Sequence, residues 1–325
     1  MVSAQNPLPS GFGPQSVPTD VLGDLDLGGC NAMVTGGYSG LGLETTKALA
    51  NAGAAVIVPA RRPEHAQAVL DGLGEVEGQI NVAELDLADL ASVERFAQGF
   101  VASGIPLDIV INNAAIMACP ETRVGPGWEA QFATNHLGHY ALINRLWPAL
   151  TASAGARVVA LSSTGHKLSP IRWDDVQFES DYDKWVAYGQ AKTANALFAV
   201  QLDTLGEAHG VRSFAVHPGG IMTELQRHLP KEEMVNMGWI DDDGNINERF
   251  KTPEQGAATS VWAATSSQLD GMGGVYCEDC DISSPTDSSS PFGRYIGVDP
   301  HAIDPESAAR LWTLSAELTG VDAFA

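Results

Sequence analysis

The sequence has few basic residues for its length. Its 325 residues include 18 lysines and arginines against 40 aspartates and glutamates, which gives a formal net charge of −22. Nucleic acids and anionic membranes attract proteins through a positive field, so this charge excludes non-specific binding to either. Any anionic ligand must therefore be held by local groups.

Cysteines are also scarce. The chain has 4 of them, Cys30, Cys119, Cys277 and Cys280, which is too few for a disulfide framework and indicates a reducing compartment. Cys277 and Cys280 have the spacing of half a zinc site, but no second ligand pair at matching spacing accompanies them. We therefore predict no metal centre.

A long apolar run is missing as well. The first basic residue is Lys47, so the N-terminus lacks the positive region of a secretory signal, and no uncharged apolar stretch approaches the ~18 residues of a membrane span. These absences predict a cytoplasmic protein without membrane contact. Residues 1–28, with scattered proline, glycine and aspartate, predict an extended arm, and no linker divides residues 29–325, which predicts a single domain.

What the chain does contain is an alternation of short β-rich runs with longer helical patterns, which is typical of βαβ units. It predicts an α/β fold with a doubly wound, Rossmann-type parallel sheet of about seven strands and helices on both faces. The expected strands are 32–35, 55–58, 81–85, 107–111, 157–161, 212–216 and 274–276. The expected helices are 40–52, 64–72, 89–103, 127–150, 183–209, 253–267 and 305–319. Residues 222–250 break this rhythm and predict a substrate lid, and 281–303 form a second excursion.

A glycine-rich turn follows the first expected strand and precedes a helix. Gly36, Gly40 and Gly42 permit a tight turn and close approach of the backbone to a pyrophosphate, which the positive end of the helix would face. Because the turn lies where this mechanism requires it, the sequence predicts a dinucleotide site. Tyr38, Ser39 and Leu41 of the same turn are further candidate cofactor contacts.

The end of the second strand indicates which nucleotide binds. An acidic residue there would select the free ribose 2′-hydroxyl of NAD, but the sequence places Arg61 and Arg62 instead. A guanidinium is suited to a 2′-phosphate, so we predict that NADP(H) is preferred over NAD(H), with Arg61 the better candidate. A solvated arginine pair is the alternative.

Tyr188 and Lys192 are four residues apart in a stretch of helical composition, which places the phenol and the ammonium on one face. A free phenol titrates near pH ~10, and a neighbouring positive charge favours the phenolate. The pair therefore predicts a tyrosine acid–base catalyst with a lowered pKa.

Several motifs together resemble the short-chain dehydrogenase/reductase family, and most closely its retinol-dehydrogenase-like branch. They are the glycine turn, Asn112-Asn113-Ala114-Ala115, Ser162-Ser163, Tyr188 with Lys192, 134–140, His217-Pro218-Gly219, 251–257 and Leu311-Trp312. Ala115 departs from the glycine that is usual in the family. Membrane-anchored members of the branch begin with an apolar segment that is absent here, which argues against retinoids as substrates.

The resemblance implies roles for individual residues. Tyr188 would be the proton donor or acceptor, Lys192 would bind the nicotinamide ribose, Ser163 would bind the substrate oxygen, and Asn135 would hold a water that links the lysine to solvent. The residues expected to border the cofactor are Asp86, Leu87, Asn113, Ala114, Pro218, Gly219, Ile221 and Thr223.

The resulting expectation is an NADP(H)-dependent oxidoreductase that interconverts a carbonyl and an alcohol on a fairly hydrophobic small molecule. Two alternatives stay open: a non-catalytic NADP-sensing protein on the same fold, and a reductase of an activated C=C bond. The family often forms homo-oligomers, which is a further possibility here.

Overall fold

A computed structural model describes residues 3–290 and 292–325. In this part of the chain the main sheet has eight strands in the order β10-β9-β8-β7-β4-β1-β2-β3. All neighbouring pairs are parallel except β9 and β10, which are antiparallel. The strands are β1 Asn31–Val34, β2 Ala55–Ala60, β3 Gln79–Glu84, β4 Ile109–Asn112, β7 Arg157–Leu161, β8 Arg212–His217, β9 Val275–Glu278 and β10 Asp281–Ile282, and a separate hairpin pairs β5 Arg123–Val124 with β6 Trp128–Glu129.

Helices cover both faces of this sheet. Helices α4, α6, α7 and α10 pack on one face around Tyr140, Phe198 and Trp312, and α2, α3 and α9 pack on the other around Leu49 and Trp262. The helices are α1 Pro18–Leu22, α2 Gly40–Asn51, α3 Pro63–Leu70, α4 Leu90–Ala102, α5 Ala130–Phe132, α6 Gly138–Thr151, α7 Lys184–Gly206, α8 Lys231–Asn236, α9 Pro253–Thr265 and α10 Pro305–Thr319. In the described residues no helix combines the length and the apolar character needed to cross a bilayer.

The strand order positions the ligand site. Strand β1 lies between β4 and β2, so successive connections run outward in opposite directions from this point. In doubly wound sheets the crevice at such a reversal, beyond the carboxyl ends of the strands, is where ligands bind. The predicted fold class is confirmed, and the expected count of seven strands was one short because the antiparallel β10 was missed.

The expected helix 127–150 was wrong at its N-terminal end. Trp128 and Glu129 belong to the β5–β6 hairpin, and residues 133–137 form a π-helical turn before α6 begins. Gly125 and Gly127 adopt φ of 54° and 112°, a region that glycine occupies readily, and so they turn the chain back into the hairpin. The Glu129 carboxylate then caps the helix start by accepting bonds from the N–H groups of Gln131 and Phe132.

The N-terminal residues run along the sheet edge and onto α9. Gln5 pairs with the backbone of Tyr276 and Ser283, and the Leu8 N–H donates to the Asp281 carboxylate at 2.7 Å. The prediction of a wholly extended arm was wrong at Pro18–Leu22, which forms α1 and packs on α9. Pro18 at the first helical position favours this start, because its φ is already that of a helix.

Candidate functional site

A cavity of about 1470 Å³ lies at the carboxyl ends of the central strands, where the strand order reverses. Of the predicted site residues, only Asn135 is not part of its wall. The predicted residues that line it are Gly36, Tyr38, Ser39, Gly40, Leu41, Arg61, Asp86, Leu87, Asn113, Ala114, Ser163, Tyr188, Lys192, Pro218, Gly219, Ile221 and Thr223. The structure therefore brings the glycine turn and the tyrosine–lysine pair to one cavity.

The glycine turn is tightly packed against the end of β4, which neighbours β1 in the sheet. Gly36 has φ of 63°, and a Cβ on Gly42 would lie 2.5 Å from both the Gly36 carbonyl oxygen and the Asn113 side chain. Asn113 Nδ2 donates to the Thr35 carbonyl at 2.8 Å, which ties the end of β4 to the turn. Helix α2 has no acidic residue in its first turn, so its positive end can face an anion.

Ser163 and Tyr188 are held next to each other by the segment after β7. Ser163 caps a 3₁₀ helix, Thr164–Leu168, by accepting a bond from the Gly165 N–H at 3.0 Å. The Tyr188 side chain reaches this segment from α7 and is 5% exposed; a Cβ on Gly165 would lie 2.7 Å from Tyr188 Cε1 and 3.4 Å from Ser163 Oγ. Both hydroxyl groups thus occupy one part of the cavity wall.

Lys192 lies one turn after Tyr188 on α7 and is 3% exposed. Its Nζ donates to the Leu161 carbonyl at 2.9 Å and lies 5.6 Å from the centre of the Tyr188 ring. Burial lowers the pKa of Lys192 to about 7. The predicted lowering of the Tyr188 pKa is not seen: burial raises it to about 12, against a smaller opposing effect of the neighbouring Ser163.

Asn135 is fully buried in the π-helical turn. Its Oδ1 accepts from the Ile116 N–H and its Nδ2 donates to the Ile116 carbonyl, both at 2.9 Å. Its own carbonyl oxygen pairs with His139 Nδ1 at 3.0 Å, and His139 Nε2 pairs with Thr35 Oγ1 at 2.9 Å. The oxygen and the nitrogen of this side chain therefore both bind the segment after β4, and the expected role of Asn135 in holding a water that links the lysine to solvent stays a prediction.

The end of β2 forms the rim of the cavity. Arg61 and Arg62 are exposed there, and His65 packs edge-on against Tyr38 with ring centres 5.9 Å apart. Helix α4 is capped by Asp89 and not by Asp86. Asp86 Oδ1 accepts a hydrogen bond from the Ala88 N–H at 2.9 Å. That contact holds the turn after β3 against the cavity.

His166 does not line the cavity but supports it from below, and sequence reasoning missed this role. It is fully buried beneath Ser163, and its Nδ1 pairs with the Ser163 carbonyl at 2.6 Å while its Nε2 accepts from the Asp299 N–H at 3.1 Å. Burial lowers the pKa of His166 to about 4, so the ring is neutral at pH 7. His166 joins the Ser163 segment to Asp299 of the 281–303 excursion, and no local sequence motif predicts this contact.

Lys251 is a second missed residue. Its aliphatic stem packs on Gly219, where an added Cβ would lie 2.8 Å from Lys251 Cδ, and its Nζ pairs with Asp279 at 2.5 Å. Lys251, held in place by Asp279, thereby fixes the position of the Pro218-Gly219 turn. His217, at the base of the same turn, is 7% exposed with its pKa lowered to about 3, first by burial and then by Lys251.

The predicted lid, residues 222–250, covers one side of the cavity with aromatic rings. Trp239 lies between Trp185 of α7 and Phe250, with ring centres 5.9 and 5.8 Å apart. Glu233 fastens the lid to α7 by accepting bonds from Trp185 Nε1 at 2.8 Å and Lys184 Nζ at 2.6 Å. This wall combines aromatic rings with charged and polar side chains, among them Arg227 and Arg249, and is anchored to α7 by Glu233.

Comparison with known proteins decides the family. The model of the short chain dehydrogenase family matches residues 30–234. The chain belongs to the short-chain dehydrogenase/reductase family. It is accordingly an oxidoreductase that depends on a nicotinamide cofactor, and the predicted resemblance to the retinol-dehydrogenase-like branch is confirmed by its relatives.

Three relatives show how far the similarity of this dehydrogenase extends. It is 44% identical over 298 residues to a protein of Streptomyces lividans named "Probable oxidoreductase", covering 90% of this chain and 98% of that one. It is 36% identical to retinol dehydrogenase 12 of Bos taurus, covering 92% and 89%. A solved structure of an uncharacterized protein from Mycobacterium paratuberculosis superposes with a TM-score of 0.72 at 33% identity, covering 94% and 98%.

Gly165 offers a test of how Tyr188 is placed in this dehydrogenase. A Cβ at this position would lie 2.7 Å from Tyr188 Cε1, so Gly165→Ala must displace the ring. We expect kcat to fall roughly 10- to 100-fold, because small misplacement of a reacting group is costly. Steady-state kinetics measure the loss, with Gly99→Ala, an uncrowded glycine of α4, as the control. Unchanged kcat in Gly165→Ala would mean that the ring position is not critical.

Proposed function

We propose that this protein interconverts a carbonyl and an alcohol on a fairly hydrophobic small molecule with NADP(H) as the hydride carrier and Tyr188 as the acid–base catalyst. The observation that carries the proposal is that Ser163, Tyr188 and Lys192 line the same cavity as the glycine turn. Retention of all three side chains favours catalysis over nucleotide sensing.

The residues present fit a dinucleotide. The cavity extends from the β2 rim to Tyr188. Because there is little room for a Cβ at Gly36 and Gly42, no side chain at these positions shields the backbone N–H groups of the turn from an anion. Gly36, Ser39, Gly40 and Leu41 would hold the pyrophosphate, and the adenine would lie near Asp86 and Leu87. Asn113, Ala114, Pro218, Gly219, Ile221 and Thr223 would border the rest of the molecule.

The bound cofactor supplies the hydride, and the protein controls the oxygen of the substrate. Ser163 Oγ and Tyr188 Oη donate hydrogen bonds to the carbonyl oxygen, which stabilises the negative charge that develops there. Tyr188, whose pKa of about 12 keeps it protonated at pH 7, then gives its proton to that oxygen. Lys192, with a pKa near 7, lies close enough to share the charge left on the phenol.

Selection of NADP(H) is proposed to rest on Arg61, with Arg62 second. Both are exposed at the β2 rim, and neither forms an ion pair with any residue of the described ranges. A solved structure, the Pseudomonas aeruginosa RhlG/NADP active-site complex, is 25% identical to this chain, has a TM-score of 0.61 and by its name contains NADP. That relative supports the same choice here.

Arg61→Ala provides the test of this preference. We expect KM for NADPH to rise about tenfold or more while KM for NADH stays unchanged, because a lost charge-assisted contact is worth roughly 1.5–3 kcal/mol. Initial-rate measurements with both nucleotides give the answer, and Arg95→Ala, an exposed arginine of α4 away from the cavity, is the control. A wild-type preference for NADH that persists in Arg61→Ala would refute the assignment.

The activity itself is tested by screening the purified protein with NADPH against aldehydes, ketones and activated alkenes. The proposal expects alcohols from the aldehydes and ketones. Saturation of the alkene bond instead would favour the C=C reductase, and tight nucleotide binding without turnover would favour the sensor.

The compartment is inferred from the cysteines. All 4 are free thiols, and burial raises the pKa of Cys30 and Cys280 to about 12 and about 11, which keeps them unreactive. This state is consistent with a reducing cytoplasm.

A further inference from the structure

The cavity has a charge opposite to that of the whole molecule. Every charged residue of the chain lies within the described ranges, and the chain carries a net charge of −22. Eight of its 18 lysines and arginines line the cavity, compared with four of its 40 aspartates and glutamates. A basic cavity in an acidic protein focuses anions toward itself.

The cofactor accounts for only part of this excess. Arg61, Arg62 and Lys192 belong to the proposed nucleotide site, whereas Lys167, Arg227, Arg249, Lys251 and Arg294 line the cavity without being assigned to it. The two lysines are neutralised there, because Lys251 pairs with Asp279 at 2.5 Å and Lys167 pairs with Asp299 at 3.0 Å. The three arginines make no ion pair with any residue of 3–290 or 292–325.

Arg249 and Arg294 are solvent-exposed residues of the cavity wall and therefore mark its mouth. Arg249 ends the lid beside Phe250, and its side chain has no hydrogen-bond partner among the described residues. Arg294 belongs to the 281–303 excursion and lies over the ring of Tyr295, with Cζ 4.5 Å from the ring centre. Arg227 differs from these two arginines in position. It belongs to the 3₁₀ helix that Thr223 caps, and the Thr223 side chain lies next to Gly40 of the glycine turn, so Arg227 is left to the nucleotide.

Exposed apolar side chains surround these arginines. Leu168, Met237, Phe292, Tyr295 and Ile296 all line the cavity, and each is between 38% and 58% exposed. A clustered apolar patch beside a cavity marks a binding surface. The mouth therefore combines apolar contact area with two free guanidinium groups.

We propose that the substrate is an amphiphilic anion, an apolar chain whose reacting carbonyl or alcohol lies at Tyr188 and whose far end carries a carboxylate held by Arg249 and Arg294. This assignment rests on the proposed carbonyl–alcohol chemistry and adds a substrate class to it. A neutral substrate would have no need of a positive mouth, whereas an anion must overcome the repulsion of a protein charged −22. A planar guanidinium pairs with a carboxylate through two parallel hydrogen bonds, which sets the orientation of the chain.

The test compares acids with their methyl esters. A short and a long ω-hydroxy carboxylic acid, with the matching esters, are titrated into the NADPH-loaded protein, in which the alcohol has no hydride acceptor, and the ω-oxo compounds are assayed for turnover with NADPH. The long acid is expected to bind about tenfold more tightly than its ester, while the short acid, whose carboxylate cannot reach the mouth, shows no advantage. The advantage should shrink as salt is raised, since screening weakens exposed charge pairs.

The double variant Arg249→Gln and Arg294→Gln assigns the effect to these residues. Its Kd for the long acid is expected to rise about tenfold to match the ester, while its Kd for the ester and for NADP stays unchanged. Arg95→Gln is the control. Equal binding of acid and ester by the wild type would overturn the proposal, as would a double variant that weakens NADP binding alone.

The two proposals fail in different ways. Preferential binding of the long acid without turnover of its oxo form would contradict the proposed reaction and leave the anion site standing. Turnover of acid and ester with equal kcat/KM would support the reaction and refute the anion site.

Discussion

Replacement of Tyr188 by phenylalanine is expected to reduce kcat by roughly 10²- to 10⁴-fold, the usual contribution of a positioned acid–base group. The ring is 5% exposed and packs in the wall next to Ser163, so phenylalanine retains the packing and removes only the hydroxyl. Without that group the developing charge on the substrate oxygen loses a donor and its proton source.

The matched measurements separate chemistry from folding. We expect the Kd for NADP and the melting temperature of Tyr188→Phe to stay close to wild type. Tyr140→Phe removes a buried hydroxyl that has no hydrogen-bond partner among the described residues and does not line the cavity, so this variant should keep full activity. A Tyr188→Phe protein that turns over at the wild-type rate would refute the assigned mechanism.

The second large effect is expected in the pH dependence of stability. Four histidines are buried, and their pKa values are lowered: His136 and His217 to about 3, His139 and His166 to about 4. Burial is the main cause for each of them, because it disfavours the imidazolium. In the unfolded chain the same rings titrate near pH ~6.5.

The sign follows from where protons bind. Between pH ~6.5 and the folded pKa values the unfolded chain holds more protons, so the free energy of unfolding falls as the pH drops. At pH ~5 each ring contributes about 2 kcal/mol of destabilisation, and the four together about 8 kcal/mol, within the range of total stability of a domain. Buried Glu129 and Glu278, whose pKa values are raised by burial, oppose this trend. We therefore expect a steep loss of stability between pH 6.5 and 5.

Denaturant titrations at a series of pH values measure this slope. His136→Gln removes one titrating ring and retains a polar group near Ser315, so the slope should fall by about one proton. The control is His65→Gln, which changes an exposed histidine at the cavity rim and should leave the slope unchanged. A flat profile between pH 6.5 and 5 in the wild type would contradict the account.

Local patterns were sufficient to predict the fold and most of the cavity wall. The glycine turn, the β2 end and the Tyr188–Lys192 spacing each combine a short motif with a defined place in a βαβ unit, and in the structure all three line one cavity. The hairpin Arg123–Val124 with Trp128–Glu129 was missed, because residues 127–150 have a continuous helical composition that the two positive-φ glycines override.

Contacts between residues far apart in the chain could not be predicted from local sequence patterns. His166 joins Ser163 to Asp299, and the Lys251 stem packs directly on Gly219, in each case across a large separation in the chain. Asn135 could be found from its motif, but its bonds to Ile116 depend on the π-helical turn, which has no sequence signature. The pKa of Tyr188 was mispredicted because helix spacing reports the neighbouring charge and not the burial that outweighs it.

The most direct test of the central claim is the fate of deuterium from NADPH labelled at C4 of the nicotinamide. Mass spectrometry of the product of an α,β-unsaturated aldehyde should find one deuterium on the carbinol carbon and none on the alkene carbons, and Tyr188→Phe should form this product orders of magnitude more slowly. Deuterium on an alkene carbon, or labelled product from Tyr188→Phe at the wild-type rate, would contradict hydride transfer to a carbonyl with Tyr188 as the proton donor.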